Sequence, residues 1–212
     1  DGNGHTIYIK SFAMNEDEST LNVALFNNVI EGTMLKNVRV NLYEGGQLTV
    51  NISQYKNINV AGFALSNKGI ITNCEVVAFY TNGTYTVGGQ TLSYTNRLPS
   101  NKQAGINLFL TDGVNTTQEA HLADHLNVKV NLAGFVLNND GNITNSRVGG
   151  DSVYVISGEE TTSDGRNIGR TDAEQVELEN FIISGQGCMA GFVLNNSGDG
   201  TISASFVKNT AM

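Results

Sequence analysis

Two histidines on one predicted helix are the residues whose spacing is best suited to chemistry. His121 and His125 are four positions apart, with Asp124 between them and Glu119 just before them. Side chains at i and i+4 lie on one helix face, so the pair has a spacing that zinc sites use. A zinc protease needs glutamate directly after the first histidine as the base that activates water, and Leu122 occupies that position. The protease interpretation therefore fails. Two surface histidines without a metal are favoured, and a metal site of another kind is the alternative.

Three short acidic loops contain the residue types that bind calcium. They are residues 1–4 (Asp-Gly-Asn-Gly), 139–141 (Asn-Asp-Gly) and 197–200 (Ser-Gly-Asp-Gly). None has the ligand spacing of an EF-hand loop or of the calcium-binding nonapeptide repeat. Turn formation by aspartate, asparagine and glycine accounts for all three loops. The sequence thus predicts no catalytic, cofactor-binding or metal-ligating residue, and weak calcium binding by these loops is the alternative.

The overall composition excludes several functional classes. The 212 residues carry a formal net charge of −8, only 15% of them are charged, and 40% are hydrophobic. No apolar run approaches the ~20 residues that span a bilayer, and a negative chain without a basic patch is not a sequence-reading nucleic-acid protein. Because apolar residues are frequent and charge is sparse, strong disorder is excluded as well. No Gly-x-Ser-x-Gly, phosphate-loop or dinucleotide motif occurs, so we predict that the chain is not an enzyme.

The cysteines and the first residues bear on the setting of the chain. Cys74 and Cys188 lack any clustered spacing, so two buried free thiols are predicted, with a disulfide between them as the alternative. The chain begins Asp-Gly-Asn-Gly without a signal peptide or an initiator methionine. We therefore expect a processed form or a fragment of a longer protein.

Internal repetition is the strongest pattern in the sequence. Three segments begin with Ala-Gly-Phe, at Ala61, Ala133 and Ala190, and continue through a polar turn to an isoleucine and a valine; a weaker copy begins at Ala24. In each copy the apolar residues alternate at period 2, a turn follows, and a second strand resumes. A single copy cannot bury its apolar face, whereas stacked copies bury a continuous core, which predicts a solenoid.

An asparagine marks the same point in three of the copies. Asn37, Asn73 and Asn145 hold this position, and Ala204 takes it in the fourth copy. The inward-facing positions change phase there, so we expect a corner with the left-handed backbone conformation that asparagine tolerates. Asparagines at equivalent corners are expected to stack and to bond to one another's backbone.

A charged residue follows two positions after each corner asparagine. These residues, Arg39, Glu75 and Arg147, are predicted to point outward and to form a column of alternating charge if the copies stack in sequence order. Each cross-strand pair in such a column contributes about 0.2–1 kcal/mol. A binding stripe is the functional alternative, and the structural interpretation is favoured.

The consensus Ala-Gly-Phe-Val-x-x-Asn-x-Gly-x-Ile-x-Asn-x-x-Val resembles the GLUG repeat of large secreted and surface proteins, mostly bacterial. The resemblance covers roughly half of the chain, and residues 1–7 resemble the segment that often starts such arrays. It implies a right-handed parallel β-helix and a setting in adhesins, wall-anchored proteins or accessory regions of large secreted proteases. It implies no catalytic residues.

We predict one domain, residues 1–212, with inserts at about 77–131 and 149–187. Within the inserts, local patterns predict a hairpin of residues 76–81 and 84–87 around Asn82-Gly83, a helix over 116–127, a loop over 158–171 and a helical turn over 173–178. Residues 38–43 and 48–53 are predicted to form a hairpin or two consecutive strands. The predicted fold class is mainly β, an irregular right-handed parallel β-helix with hairpin and loop inserts and one or two short helices.

The sequence predicts a non-catalytic structural or adhesive module of an extracellular or cell-surface protein or assembly. Its expected partners are neighbouring domains or identical subunits at the solenoid ends, which carry no obvious polar cap, and host or surface glycans or proteins. A carbohydrate-binding or carbohydrate-cleaving β-helix is one alternative, with Tyr80, Tyr85 and Tyr94 as a sugar platform. Cross-strand aromatic pairs in a hairpin are favoured for these tyrosines. An accessory region of a large secreted protease is the other alternative.

Overall fold

The chain is built from β-strands throughout the part that the structure describes. This computed structural model describes residues 1–9, 11–12, 15–17, 19–42, 47–51, 55–87, 90–95, 105–111, 128–149, 153–156, 159–162, 167–171, 175–178, 181–184, 187–208 and 210–211. These residues form strands and turns and no helix, so the mainly-β prediction is confirmed. The described part of the chain accordingly offers no long apolar helix that could cross a membrane. The helix predicted over 116–127 lies outside the described residues.

The strands are short, and most contain three to five residues. The strands up to the first insert are β1 (Thr6–Tyr8), β2 (Asn15–Asp17), β3 (Thr20–Val23), β4 (Phe26–Val29), β5 (Met34–Lys36), β6 (Arg39–Asn41), β7 (Gln47–Asn51), β8 (Asn57–Ala61), β9 (Ala64–Asn67), β10 (Ile70–Thr72) and β11 (Glu75–Val77). The next strands are β12 (Phe79–Val87), β13 (Gln90–Thr95), β14 (Gly105–Thr111), β15 (Lys129–Ala133), β16 (Val136–Asn139), β17 (Asn142–Thr144) and β18 (Arg147–Gly149). The last strands are β19 (Val153–Ile156), β20 (Glu159–Thr162), β21 (Asn167–Thr171), β22 (Gln175–Leu178), β23 (Phe181–Ser184), β24 (Cys188–Ala190), β25 (Val193–Asn196), β26 (Thr201–Ser203), β27 (Phe206–Lys208) and β28 (Thr210–Ala211).

Five open sheets are formed from strands that the chain visits in a fixed order. Sheet 1 is β2-β3-β8-β15-β24, sheet 2 is β4-β9-β16-β25, sheet 3 is β5-β10-β17-β26, sheet 4 is β1-β6-β11-β18-β27 and sheet 5 is β7-β14-β23-β28. All strand pairs in these sheets are parallel except β2 with β3. We call one pass of the chain through the sheets a rung. Rung 1 is β3–β6, rung 2 is β7–β11, rung 3 is β14–β18 and rung 4 is β23–β27.

A column of phenylalanine rings joins the four rungs through the core. The ring centroids of Phe26 and Phe63 are 5.2 Å apart, and the Phe63–Phe135 and Phe135–Phe192 distances are both 4.8 Å. Phe63 and Phe135, in the two inner rungs, are fully buried. Burying a side chain of this size stabilises a fold by about 1.5–3 kcal/mol, so the column contributes substantially to holding the rungs together.

The four predicted corners have the left-handed backbone conformation. The φ angle is 57° at Asn37, 51° at Asn73, 47° at Asn145 and 46° at Ala204, which confirms the predicted corner. The expected stacking of these asparagines is confirmed, but they bond through their side chains and not to neighbouring backbone. Asn73 Nδ2 donates to Asn37 Oδ1 over 2.7 Å, and Asn145 Nδ2 donates to Asn73 Oδ1 over 3.5 Å. An amide carries both donor and acceptor, so identical side chains one rung apart satisfy each other.

Three local predictions in the inserts are wrong. The strand β12 runs through Asn82-Gly83 without a turn, and its antiparallel pairing with β13 extends to Val87 opposite Gln90. The loop predicted over 158–171 contains β20 and β21, which form an antiparallel sheet with β19. The helical turn predicted over 173–178 is strand β22, whose Gln-Val-Glu-Leu alternation has period 2.

The structure also decides how the remaining strands connect. The strands β6 and β7 belong to sheets 4 and 5, so they are consecutive strands and not a hairpin. The strands β14 and β15 fall within the insert predicted at about 77–131, yet they pair in parallel within sheets 5 and 1. That segment therefore contributes two strands to the parallel sheets.

Candidate functional site

The residues considered for zinc lie outside the described part of the chain. This applies to Glu119, His121, Asp124 and His125. Among the residues that the structure describes, no three or more His, Cys, Asp or Glu side chains are grouped to hold a metal ion. The sequence-based interpretation of the histidines as metal-free surface residues stays a prediction.

The first acidic loop is engaged in contacts within the chain. The Asp1 carboxylate accepts hydrogen bonds from the backbone N of Asn3 (2.9 Å) and from Asn37 Nδ2 (3.0 Å). It also lies 3.3 Å from Lys36 Nζ in an exposed ion pair. Asp1 thus terminates the ladder of corner asparagines with a charged acceptor.

The other two acidic loops are adjacent turns of rungs 3 and 4. The backbone N of Ser197 donates to Asn139 O over 2.9 Å, and the backbone N of Thr201 donates to Gly141 O over 2.8 Å. These bonds continue the sheet pairing across the turn, as expected for turns built from Asn, Asp and Gly. Weak calcium binding by these loops stays a prediction.

A shallow cleft of about 460 Å³ crosses the turns between sheets 2 and 3. Glu31, Lys68 and Asp199 line it together with the half-exposed Met34 and Ile70. Glu31 belongs to rung 1 and Asp199 to rung 4, and three strand spacings separate them by about 14 Å. Paired carboxylates that hydrolyse glycosides are about 5–9.5 Å apart, which is less than this backbone spacing.

The charged column predicted from the sequence is a buried ion cluster. Arg39 Nε donates to Glu75 Oε2 over 2.8 Å, and an Arg147 terminal nitrogen lies 3.2 Å from Glu75 Oε1. The order along the stack is as predicted, but the expectation of surface pairs is wrong, because the Glu75 side chain is only 2% exposed. All residues of β6, β11 and β18 are buried, so these three inner strands of sheet 4 are covered on both faces.

Burial changes the energetics of this cluster. An ion pair exposed to water contributes little to the free energy of unfolding. Removing one member of a buried pair lowers that free energy by about 3–5 kcal/mol, because a charge stays buried after its counter-charge is lost. Each of Arg39, Glu75 and Arg147 takes part in at least one further interaction. The Arg147 guanidinium also lies 5.8 Å from the centroid of the Phe206 ring, a cation–π contact between rungs 3 and 4.

Two further asparagine ladders join the rungs. In sheet 1, Asn131 Nδ2 donates to Asn59 Oδ1 and Asn59 Nδ2 donates to Asn22 Oδ1, both over 2.9 Å. In sheet 2, a second ladder runs through the buried Asn67 and Asn139 to the exposed Asn196, with two bonds of 2.7 Å. The sheet 1 ladder is not among the features predicted from the sequence. The sequence signal for this ladder is an asparagine two residues before the alanine that begins a copy. It occurs in the copies that begin at Ala24, Ala61 and Ala133.

The two cysteines are free thiols in different environments. Cys74 is buried, its Sγ lies 3.3 Å from Thr72 O, and burial raises the pKa of this thiol from 9.0 to about 11. Cys188 is exposed, so its predicted burial is wrong. Its strand β24 is the end strand of sheet 1, and among the described residues no further strand pairs with β24 on its outer side.

Rung 4 exposes positions that form the core in rung 3. Ile202 lies opposite Ile143 and Val207 opposite Val148 in the parallel register. Ile143 and Val148 are fully buried, whereas Ile202 is 41% and Val207 is 43% exposed, and the adjacent Phe206 is 47% exposed. Among the described residues, β24, β25, β26 and β27 each end a sheet with one unpaired edge.

The opposite end of sheet 1 is closed by a polar strand. The strand β2, with the sequence Asn-Glu-Asp, runs antiparallel along the edge of β3, and Leu21 and Val23 in β3 are fully buried. The expectation that the ends lack a polar cap is therefore wrong here. Sheet 4 remains open at this end, where Ile7 of β1 is 41% exposed.

The tyrosines considered as a sugar platform lie on the β12–β13 hairpin and its neighbour β22. In the backbone register, Tyr85 lies opposite Leu92, Tyr94 opposite Gly83 and Tyr80 opposite Glu177. The predicted direct cross-strand aromatic pairs therefore do not occur in this register. Comparison with protein-family models, curated proteins and solved structures gives no match for this chain.

Proposed function

We propose that this chain is a non-catalytic structural or adhesive module of an extracellular or cell-surface protein or surface assembly. In this proposal the chain forms an irregular right-handed parallel β-helix, and the two antiparallel inserts leave and rejoin it. The observation that carries the proposal is the fixed order in which each rung visits the parallel sheets, with identical side chains aligned from rung to rung.

The handedness is supported by a general rule of parallel sheets. Connections between parallel strands of one sheet are right-handed in about 98% of cases, because the twist of the strands favours that sense. Here consecutive strands of sheet 1, such as β8 and β15, are joined by a path through sheets 2 to 5. Applied to each sheet, the rule gives one right-handed coil per rung.

The placement of the described polar side chains supports a structural role. The buried amides of Asn67 and Asn139 bond along the stack, and the buried Glu75 carboxylate is held between two arginines. Groups engaged in this way hold rungs in register and are not positioned to activate water or a nucleophile. The resemblance of the Ala-Gly-Phe segments to the GLUG repeat adds support for a secreted or surface setting.

The proposed setting is tested on the organism that carries the gene. Antibodies raised against the folded chain should label intact cells or detect the chain in the medium, and protease treatment of intact cells should remove the surface signal. A cytosolic protein followed in the same samples is the control for lysis. Detection of the chain only after lysis, together with the cytosolic control, would overturn the proposal.

A further inference from the structure

We propose that Asp140, in the turn of rung 3, is a site of spontaneous modification, at which aspartate isomerises to isoaspartate. The reaction changes the path of the backbone through the turn and requires only water. It goes beyond the proposed function and does not depend on it, because neither a partner nor a cellular setting enters the chemistry.

The chemistry is that of an aspartate followed by a glycine. The Gly141 nitrogen attacks Cγ of the protonated Asp140 carboxyl group, a C–N bond forms, and the carboxyl hydroxyl leaves as water with the amide hydrogen. The product is a five-membered succinimide ring, and water then opens one of its two C–N bonds. One opening restores aspartate, and the other leaves the backbone running through Cγ, which is isoaspartate. Glycine favours the attack because its nitrogen lies beside a flexible backbone without a side chain.

The peptide group between Asp140 and Gly141 is held by no hydrogen bond. Within the described part of the chain, neither Asp140 O nor Gly141 N has a hydrogen-bond partner. The flanking groups are held, since Asp140 N donates to Asn67 O and Asn142 N donates to Gly69 O, both over 2.8 Å. This peptide group can therefore rotate toward the geometry of attack without first losing a hydrogen bond.

Both reacting groups are also accessible. Asp140 is exposed, and no described residue forms a hydrogen bond or ion pair with its carboxylate. Gly141 lines the shallow cleft of about 460 Å³, which is open to solvent. The water that opens the succinimide ring can therefore reach the turn.

The other aspartate–glycine and asparagine–glycine pairs of the described residues lack this freedom. Asn82–Gly83 lies inside strand β12, where Gly83 is paired with Tyr94 of β13. The attacking nitrogens of the other three pairs are held by hydrogen bonds: Gly2 N to Lys36 O (2.8 Å), Gly4 N to Asn37 O (3.0 Å) and Gly200 N to Ser197 O (3.1 Å). Attack at these positions requires that a hydrogen bond is broken first.

Isoaspartate at position 140 would disturb the stacking of the turns. It adds one carbon atom to the backbone of a turn that is bonded to both neighbouring rungs. Thr201 N donates to Gly141 O over 2.8 Å, and Asn142 N donates to Gly69 O. The turn has little room to shift, because even a Cβ on Gly141 would lie 2.3 Å from Gly69 O. The modified chain should therefore be less stable than the parent chain.

The test ages the folded chain in mildly acidic buffer and quantifies isoaspartate by peptide mapping with mass spectrometry. Asp140 and Asp199 provide an internal comparison, since both are exposed and both precede glycine. In the folded chain, isoaspartate should form about fivefold faster at Asp140, because no hydrogen bond of the attacking nitrogen has to break. In concentrated urea the two rates should become similar, because the turns are then released.

Two matched variants connect the modification to stability. Asp140→Glu and Asp199→Glu keep the charge, and a glutamate would have to close a six-membered ring, which is far slower. Ageing should lower the urea midpoint of the parent chain and of Asp199→Glu, and should leave that of Asp140→Glu unchanged.

Three results would overturn the inference. The first is isomerisation at Asp199 as fast as at Asp140 in the folded chain. The second is a folded chain without isoaspartate at position 140 after a time at which the urea-treated chain contains it. The third is an aged Asp140→Glu chain whose urea midpoint falls as much as that of the parent chain. Labelling of intact cells tests the proposed function separately, and its outcome does not affect this inference.

Discussion

Ala204 and Asn145 have the same left-handed backbone conformation at equivalent corners of rungs 4 and 3, with φ of 46° and 47°. Asn145 also donates a side-chain hydrogen bond to the corner asparagine of the preceding rung. An alanine cannot make such a bond, and its Cβ approaches the following carbonyl oxygen at a cost of about 1–2 kcal/mol. The corner at Ala204 is therefore strained by the stacking of its rung.

Replacing Ala204 should stabilise the chain. Ala204→Gly removes the Cβ contact and should raise the free energy of unfolding by about 0.5–1 kcal/mol, and Ala204→Asn should do so by a similar amount. Urea-induced unfolding measures both changes. Ala64→Gly is the control, since Ala64 is a buried strand residue without a positive φ, and this change should destabilise the chain. If Ala204→Gly lowered the free energy of unfolding as much as Ala64→Gly does, the corner at Ala204 would not be strained.

The buried ion cluster should be sensitive to loss of the Glu75 carboxylate. Glu75→Gln removes the carboxylate that Arg39 and Arg147 both contact and should lower the free energy of unfolding by about 3 kcal/mol. The exposed Lys36–Asp1 pair provides a matched control, and Lys36→Gln should change that free energy by less than about 1 kcal/mol. Denaturant titrations of the two variants make the comparison. Equal effects would show that the cluster is solvated.

The two thiols should differ in reactivity. In the folded chain at pH 8, a thiol reagent should modify only Cys188, because Cys74 is buried and the pKa of its thiol is raised to about 11. Denaturation should release the second thiol, and Cys188→Ser should reduce the folded-state count to zero. Two rapidly reacting thiols in the folded chain would contradict the burial of Cys74.

The same thiol predicts how stability changes in alkaline solution. Below pH 9 Cys74 is protonated in both states; between pH 9 and about 11 the unfolded chain loses this proton while the folded chain keeps it. Stability should therefore fall as pH rises through this window, by up to about 1.4 kcal/mol for each pH unit. Cys74→Ser removes this contribution, and the difference between the two unfolding curves at pH 8 and pH 10.5 measures it. Parallel pH profiles would contradict the raised pKa.

The glycines of the Ala-Gly-Phe segments should differ according to their rung. Gly62→Ala places a Cβ 2.3 Å from Gly134 O, so the backbone must shift, and we expect a loss of about 2 kcal/mol. Gly191→Ala should change the free energy of unfolding by less than about 0.5 kcal/mol, since a Cβ there would meet only Val207, at 3.5 Å. A large loss at Gly191 would show that rung 4 is already covered.

Local chemistry was sufficient to predict the corners and the column of aligned side chains. A phase change in the apolar pattern at Asn73 and Asn145 has few structural explanations, and a left-handed corner is the one that asparagine favours. Similarly, Ala-Gly-Phe segments with one turn pattern predict that Phe63 and Phe135 occupy equivalent positions.

Burial on the outer face could not be predicted from such patterns. Whether Glu75 meets solvent depends on what covers sheet 4, and that is decided by distant parts of the chain. The same holds for the polar cap: the short Asn-Glu-Asp segment of β2 has no strand propensity of its own and is ordered by the open edge of β3. The exposure of Cys188 likewise follows from its place in β24, an end strand of sheet 1 among the described residues, and not from its neighbours in sequence.

The most direct test of in-register stacking is a set of proton NOEs among phenylalanine rings in a chain that is otherwise deuterated. Stacked rungs predict ring-to-ring cross-peaks for Phe26–Phe63, Phe63–Phe135 and Phe135–Phe192, since the centroids are 5.2, 4.8 and 4.8 Å apart. Single Phe→Leu variants assign each peak. A cross-peak between Phe63 and Phe135, which are separated by 72 residues, has no source other than adjacent rungs. Its absence in the folded chain, or a direct Phe26–Phe192 cross-peak in a monomer, would contradict the stacked arrangement.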